Sequence, residues 1–197
     1  MNFLAHAYLS GDDHGLLVGN FIADFVKGRS AVDSFTPEVK RGIYLHRAID
    51  SFTDTHPVVT ESKKRLREKY RHYAGVIVDV FYDHFLARNW DTYHPMALIE
   101  YVARTYTIIE NHQTDLPDDV KAFFPYMVRG NWLLSYARLE GIGRALTGMS
   151  KRTPFESRME IAVHDLELHY DQFHDEFTRF FPQLQQHVAD YLSTEHA

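Results

Sequence analysis

The sequence contains no cysteine, and that absence removes disulfides, thiol nucleophiles and thiolate zinc sites together. It suits a reducing compartment, and a cytoplasmic location is the expectation. No secretory leader is expected either. Met1-Asn2-Phe3-Leu4-Ala5-His6 has no basic start, and Asp12 and Asp13 follow early. Apolar runs are broken by charge within about eight residues, far short of the roughly 20 that a membrane helix needs. Neither membrane nor nucleic acid is an expected partner, because 21 Lys and Arg face 27 Asp and Glu for a net charge of −6. No alternating strand pattern with Asn-Gly or Asp-Gly turns occurs, and no repeat or Pro/Gly/Ser linker divides the chain. Also absent are Gly-x-Ser-x-Gly, the P-loop, His-Glu-x-x-His and Glu-x-x-His. That excludes the nucleophile elbow, the phosphate-cradling loop, the zincin helix and the ferritin-like di-iron bundle.

What is present points to helices. With 45% hydrophobic and 24% charged residues over 197 positions, the chain has enough apolar mass for one core, and a single all-α domain over 1–197 is the reading. Thr36-Pro37-Glu38 reads as a cap with Pro at the first helical position, opening a helix to about Asp54. Thr55-His56-Pro57 repeats the device for a helix to about Tyr73, and Val76 to Arg88 forms the next. His94-Pro95 opens another. Leu116-Pro117-Asp118-Asp119 starts one that Pro125 is expected to interrupt. Trp132 to Leu146 and Phe155 to Phe181 complete the pattern, and Pro182 is expected to separate a last helix to about Leu192.

The chain carries 13 histidines, and their positions relative to acids decide their meaning. His46, Asp50 and Asp54 fall at i, i+4 and i+8, spanning about 80° of one helix face. Asp79 and Asp83 repeat the spacing, with His84 next. Asp24 stands among apolar residues in Gly-Asn-Phe-Ile-Ala-Asp-Phe-Val, and His6 does the same in Phe-Leu-Ala-His-Ala-Tyr. Burying a carboxylate or imidazole costs several kcal/mol unless a partner compensates. One divalent cation, or a pair, would compensate all four segments at once. Imidazole with carboxylate suits Mn, Fe, Zn or Mg. The plainer reading is that each His is a satisfied core residue and each Asp a solvated one. His164-Asp165 spells the signature of the HD phosphohydrolases, with His169, Asp171 and His174 behind it, but Glu160 to Glu176 contains no Lys or Arg and reads as a solvated acidic face.

Taken in order, Met1 to His6, Gly19-Asn20, Ala23-Asp24-Phe25, His46-Arg47-x-Ile49-Asp50, Thr53-Asp54 and Asp79-x-x-x-Asp83-His84-Phe85-Leu86 resemble the acyl carrier protein phosphodiesterase family. The likeness runs nearly end to end and is densest to about residue 90. The resemblance implies an all-α fold distantly related to the HD phosphohydrolases. It also implies a divalent metal, manganese first with magnesium, iron and zinc as alternatives, and hydrolysis of the phosphodiester that joins phosphopantetheine to a carrier-protein serine. By the same resemblance Asp24 is essential, and His6, His46, Asp50, Asp83 and His84 are the other expected ligands. Arg47 is then the candidate clamp for a phosphoryl oxygen, and Asp54 or Asp79 the candidate to orient water or support a ligand histidine. The alternative function is an HD-like phosphohydrolase acting on a nucleotide or other small phosphoester.

A carrier protein is strongly acidic, so a net-negative enzyme needs a local positive surface to meet it. Six basic residues lie between Glu61 and His72, and Lys63, Arg67 and Arg71 share a face at i+4 spacing with Lys64 alongside. These four are the expected docking residues, extended by Lys27, Arg29, Lys40 and Arg41. A helix face that is merely solvated is the plainer alternative.

Overall fold

The computed structural model describes residues 1–194, without the side chain of Arg29, and every regular element among them is helical. In chain order the α-helices are α1 (Phe3–Leu9), α2 (His14–Ile22), α3 (Arg29–Val32), α4 (Pro37–Thr55), α5 (Pro57–Tyr70), α6 (Ala74–Arg88) and α7 (Trp90–Tyr93). They continue as α8 (Leu98–Asn111), α9 (Asp118–Arg129), α10 (Trp132–Ser135), α11 (Leu139–Ser150), α12 (Val163–Leu168) and α13 (Tyr170–Thr194), with short 3-10 turns between some of them. No described helix is long and apolar enough to cross a membrane.

Local chemistry starts and stops these elements. Asp13 accepts from Leu16 N at 2.9 Å to cap α2, and Thr36 caps α4 with Pro37 at its first position. His56, rather than Thr55, caps α5, its Nδ1 accepting from Val58 N at 3.3 Å. Two expectations fail at prolines. Pro125 lies inside α9 and Pro182 inside α13, and neither helix is interrupted. Both prolines are exposed, as are Lys121 and Thr178 four residues earlier, so each carbonyl released by the missing N–H faces water. The segments read as Trp132 to Leu146 and Phe155 to Phe181 are instead broken, between α10 and α11 and again before α12.

Two features of the packing set up the site. The α2 and α4 backbones touch: a Cβ on Gly19 would meet Val39 O at 2.0 Å, and one on Gly42 would meet Leu16 O at 2.2 Å. Only glycine at both positions allows that approach. Second, α6 runs through the core, where Phe81, Tyr82 and Phe85 pack on Phe173, Phe177 and Phe180 of α13. The one fully buried acid on α6, Asp83, accepts from Leu4 N at 2.8 Å and Ala5 N at 3.2 Å. It caps α1 from across the core and fixes that helix against α6.

Candidate metal centre

Because α2 and α4 meet backbone to backbone, Asn20 and Asp24 stand opposite His46 and Asp50, and α1 brings His6 into the same space. The His6 and His46 rings stack with centroids 4.0 Å apart, 13° from parallel. Asp50 bridges them, its Oδ1 3.2 Å from His6 Nε2 and its Oδ2 3.0 Å from His46 Nε2. Asp24 Oδ1 lies 3.2 Å from the same His46 nitrogen. Among the described residues His6, His46 and Asp50 are the one group whose ligand atoms all fall within 4.8 Å of one another.

Asn20 determines which ring nitrogens face the cluster. Its Nδ2 donates to His6 O at 2.9 Å and to Ser10 Oγ at 3.0 Å, so its Oδ1 is free to accept. His6 Nδ1, 2.7 Å from that Oδ1, therefore carries the hydrogen. His46 Nδ1 likewise donates to the Asn20 backbone oxygen at 2.8 Å. Both Nε2 atoms are thereby aimed at the carboxylates, as imidazole metal ligands are when a neighbour fixes their tautomer. In neutral His6 a lone pair on Nε2 then points at Asp50 Oδ1 and at Met1 O, 3.2 Å away. Acceptors converging on one point need a proton or a cation between them.

The electrostatics agree. Burial by itself lowers His46, but its hydrogen bonds to Asp24 and Asp50 outweigh this and raise it to about 9. Burial and the charge on His46 push His6 well below its ordinary value. Burial would raise Asp50, yet the two imidazoles hold it far below the usual carboxylate range. Asp24 is lowered mainly by its hydrogen bond to His46. The stacked pair thus carries one proton near neutrality, on His46. Two imidazoles and two carboxylates form a donor set that fits a divalent cation of the Mn, Fe, Zn or Mg type.

Other expected residues fall elsewhere. Asp24 is not buried among its apolar neighbours: the 3-10 turn Ala23–Phe25 rotates it outward to 67% side-chain exposure, and it reaches the cluster from the surface. Asp83 spends both oxygens on α1. Burial raises it to about 7, against those N–H donors. His84 has Nδ1 on Tyr136 O at 2.7 Å and Nε2 on Tyr170 OH at 3.0 Å. Neither joins the cluster. Asp79 lies beside it, 3.2 Å from the buried Met1 amine, which is also 3.4 Å from Asp50. Arg47 is exposed and lies over the Tyr44 ring. Asp54 is ion-paired with Lys63 at 2.7 Å. His164 is exposed, and Asp165 accepts from Lys69 and the Tyr70 hydroxyl, so the His-Asp dipeptide is no part of this centre. The sequence reading missed Asn20, although a polar residue in the apolar run Leu16 to Ile22 carries the same signal as Asp24.

Lys63, Lys64, Arg67, Arg71 and His72 line a groove of about 340 Å³ that also includes Asp54. His46, Asp50 and Asp54 form one stripe on α4, so the groove begins about 12 Å from His46, eight residues along the helix. The remaining basic residues of α5 are paired elsewhere: Arg65 forks onto the buried Glu176 at 2.7 and 2.9 Å, and the exposed Lys69 holds Asp165. The Arg29 side chain lies outside the described residues.

No solved structure matches the chain. Curated relatives do, and each is named acyl carrier protein phosphodiesterase. The protein from Photorhabdus laumondii is 36% identical over 185 residues, 93% of either chain. That from Yersinia enterocolitica is 35% identical over 191 residues, covering 96% of this chain and 98% of its own. That from Escherichia coli O6:H1 is 34% identical over 194 residues with the same coverage. The family profile described as acyl carrier protein phosphodiesterase matches residues 1–184, and the chain belongs to that family of phosphodiester hydrolases.

Proposed function

We propose that this protein is a divalent-metal-dependent hydrolase that converts holo acyl carrier protein to apo carrier protein and free phosphopantetheine, with manganese as the preferred metal. The observation that carries the metal reading is the convergence of His6 Nε2, His46 Nε2 and Asp50, with Asp24 at the open side and Asn20 holding both imidazoles. The family relation carries the substrate.

His6, His46, Asp50 and Asp24 would hold the cation. When bound, it supplies Lewis acidity that activates water and offsets charge on the phosphoryl oxygens. The chain's own groups do the positioning. Asn20 keeps both Nε2 lone pairs on the site. Asp24, at the surface, guards the side from which a protein-borne phosphate must arrive. Arg47, exposed and one residue from His46, is placed to take a non-bridging oxygen with its planar fork. Asp79 stands beside Asp50 to orient the water, and Asp54 fixes Lys63 in the basic groove. That groove receives the acidic carrier protein.

The test is mass spectrometry of holo carrier protein incubated with this protein and Mn²⁺. The expected result is loss of the phosphopantetheine mass, abolished by chelator and by Asp24→Ala. Unchanged substrate with folded, metal-loaded protein would reject the reading.

A further inference from the structure

A second cavity, about 450 Å³, opens between α1, α9, α10 and α11, a size typical of pockets that bury small organic molecules. Its walls are largely rings: Phe3, Phe123, Trp132 and Tyr136, with Tyr126 exposed at the mouth. On α11, Arg144, Gly148 and Arg152 follow one another at one-turn intervals and are all exposed at the rim. A Cβ on Gly148 would meet nothing within 4 Å, so the rim can take a larger side chain there.

The cavity adjoins the metal centre. Phe3 is one turn of α1 from His6, about 5 Å along the helix. On the other flank Phe25, the neighbour of Asp24, packs on Phe123 at 5.3 Å, and Phe123 stacks with Trp132 at 6.3 Å. Packed rings therefore link both ends of the cluster to the wall of the pocket. We propose that this cavity is the subsite for the pantetheine arm of the substrate, an inference that rests on the carrier-protein reading above.

The chemistry of the arm matches the lining. Next to its phosphate pantetheine carries two methyl groups on a quaternary carbon, which suit the Phe3 and Phe123 rings nearest the metal centre. Beyond them come methylenes, two amides and a thiol. The amides need one class of donor and one of acceptor, and buried polar atoms are rarely left unpaired. Ser135 Oγ, which lines the cavity and donates to Trp132 O at 2.8 Å, is left to accept an amide N–H, and the guanidinium groups of Arg144 and Arg152 can donate to the amide oxygens.

Gly148→Phe sets a ring at the mouth of the cavity, where a Cβ meets nothing within 4 Å, so the variant is expected to fold and bind Mn²⁺ as the parent does. With holo carrier protein as substrate it should raise KM about tenfold or more. Free pantetheine should change the intrinsic fluorescence of the parent protein, and Gly148→Phe should abolish that change. If the parent cleaves holo carrier protein and Gly148→Phe has the same KM, the pocket is not the subsite. A medium-chain fatty acid that alters the fluorescence where pantetheine does not would assign the cavity to another ligand and also overturn the inference. If pantetheine binds but the parent leaves holo carrier protein intact, the carrier-protein hydrolysis fails while the subsite stands.

Discussion

Without a cation His46 holds a proton that metal must displace, because Asp24 and Asp50 raise it to about 9. Binding should therefore release about one proton, and Mn²⁺ affinity should climb about tenfold per pH unit to pH 9 and then level off. Calorimetric titration at three pH values in buffers of different ionisation heat measures both, and a pH-independent affinity would contradict the proton assignment. Linkage has the matching sign in the metal-free protein. A histidine raised from 6.5 contributes stability in full below 6.5 and loses it as pH rises through 9, roughly 3 kcal/mol in all. A second contrast separates two aspartates that look alike in sequence. Asp83→Ala leaves two α1 N–H groups without an acceptor and should cost on the order of 3 kcal/mol. Asp24→Ala, at the surface, should cost less than about 1 kcal/mol and remove activity. Thermal melts with Mn²⁺ titration decide; Asp83→Ala that melts normally but binds no metal would return Asp83 to the ligand set. At this scale the sequence exposed His6, Asp24, His46 and Asp50, since apolar surroundings and helical spacing flagged them. Asp83 and His84 carry the same signal but lie apart from that cluster, because a buried polar group is equally satisfied by backbone, and only coordinates show which partner is present.

Among the elements, the contact that makes the centre is the crossing of α2 and α4 at Gly19 and Gly42. Neither histidine of the cluster lies at the crossing, yet both depend on it, since Asn20 next to Gly19 holds both rings. A methyl group at Gly19 would stand 2.0 Å from a backbone oxygen, so the helices must separate. Gly19→Ala should lose more than the roughly 1–3 kcal/mol typical of overpacking and weaken Mn²⁺ binding at temperatures where the protein is still folded. Gly148→Ala, with open space around it, is the control and should hold or raise the melting temperature. Equal melting temperatures for Gly19→Ala and the parent would show that the approach is looser than drawn. The limits of α4, α5 and α6 were legible from caps and Pro at the first turn. The two proline breaks were not, because a proline can be accommodated inside a helix where the carbonyl it frees reaches water. Pro125 and Pro182 face outward, so α9 and α13 continue. Pattern alone also merges α10 with α11, between which Tyr136 is buried and its carbonyl oxygen accepts from His84 Nδ1.

On the scale of the whole molecule, a chain of net charge −6 must bind an acidic protein against its own average field, so local charge has to prevail. The i+4 spacing in the sequence pointed to Lys63, Arg67 and Arg71, and the structure gathers them with Lys64 and His72 around one groove while pairing Arg65 with Glu176 and Lys69 with Asp165. What the sequence could not supply was that Asp54 pairs with Lys63 and so joins the α4 stripe to the groove. The groove begins about 12 Å from His46 on the α4 stripe, more than a Debye length of about 10 Å at 0.1 M salt. Reversing its charge should therefore disturb docking and leave the cluster's chemistry alone. The triple variant Lys64→Glu, Arg67→Glu, Arg71→Glu keeps Lys63 with Asp54 and should raise KM for holo carrier protein at least about tenfold at low salt with kcat little changed. The gap to the parent should close as salt rises toward 0.5 M, where screening falls to about 4 Å and removes the parent's advantage. Steady-state kinetics across a salt series read both quantities. A fall in kcat with KM unchanged would place these residues in the chemistry instead, and a gap that persists at high salt would mean the groove makes short-range contacts rather than steering from a distance.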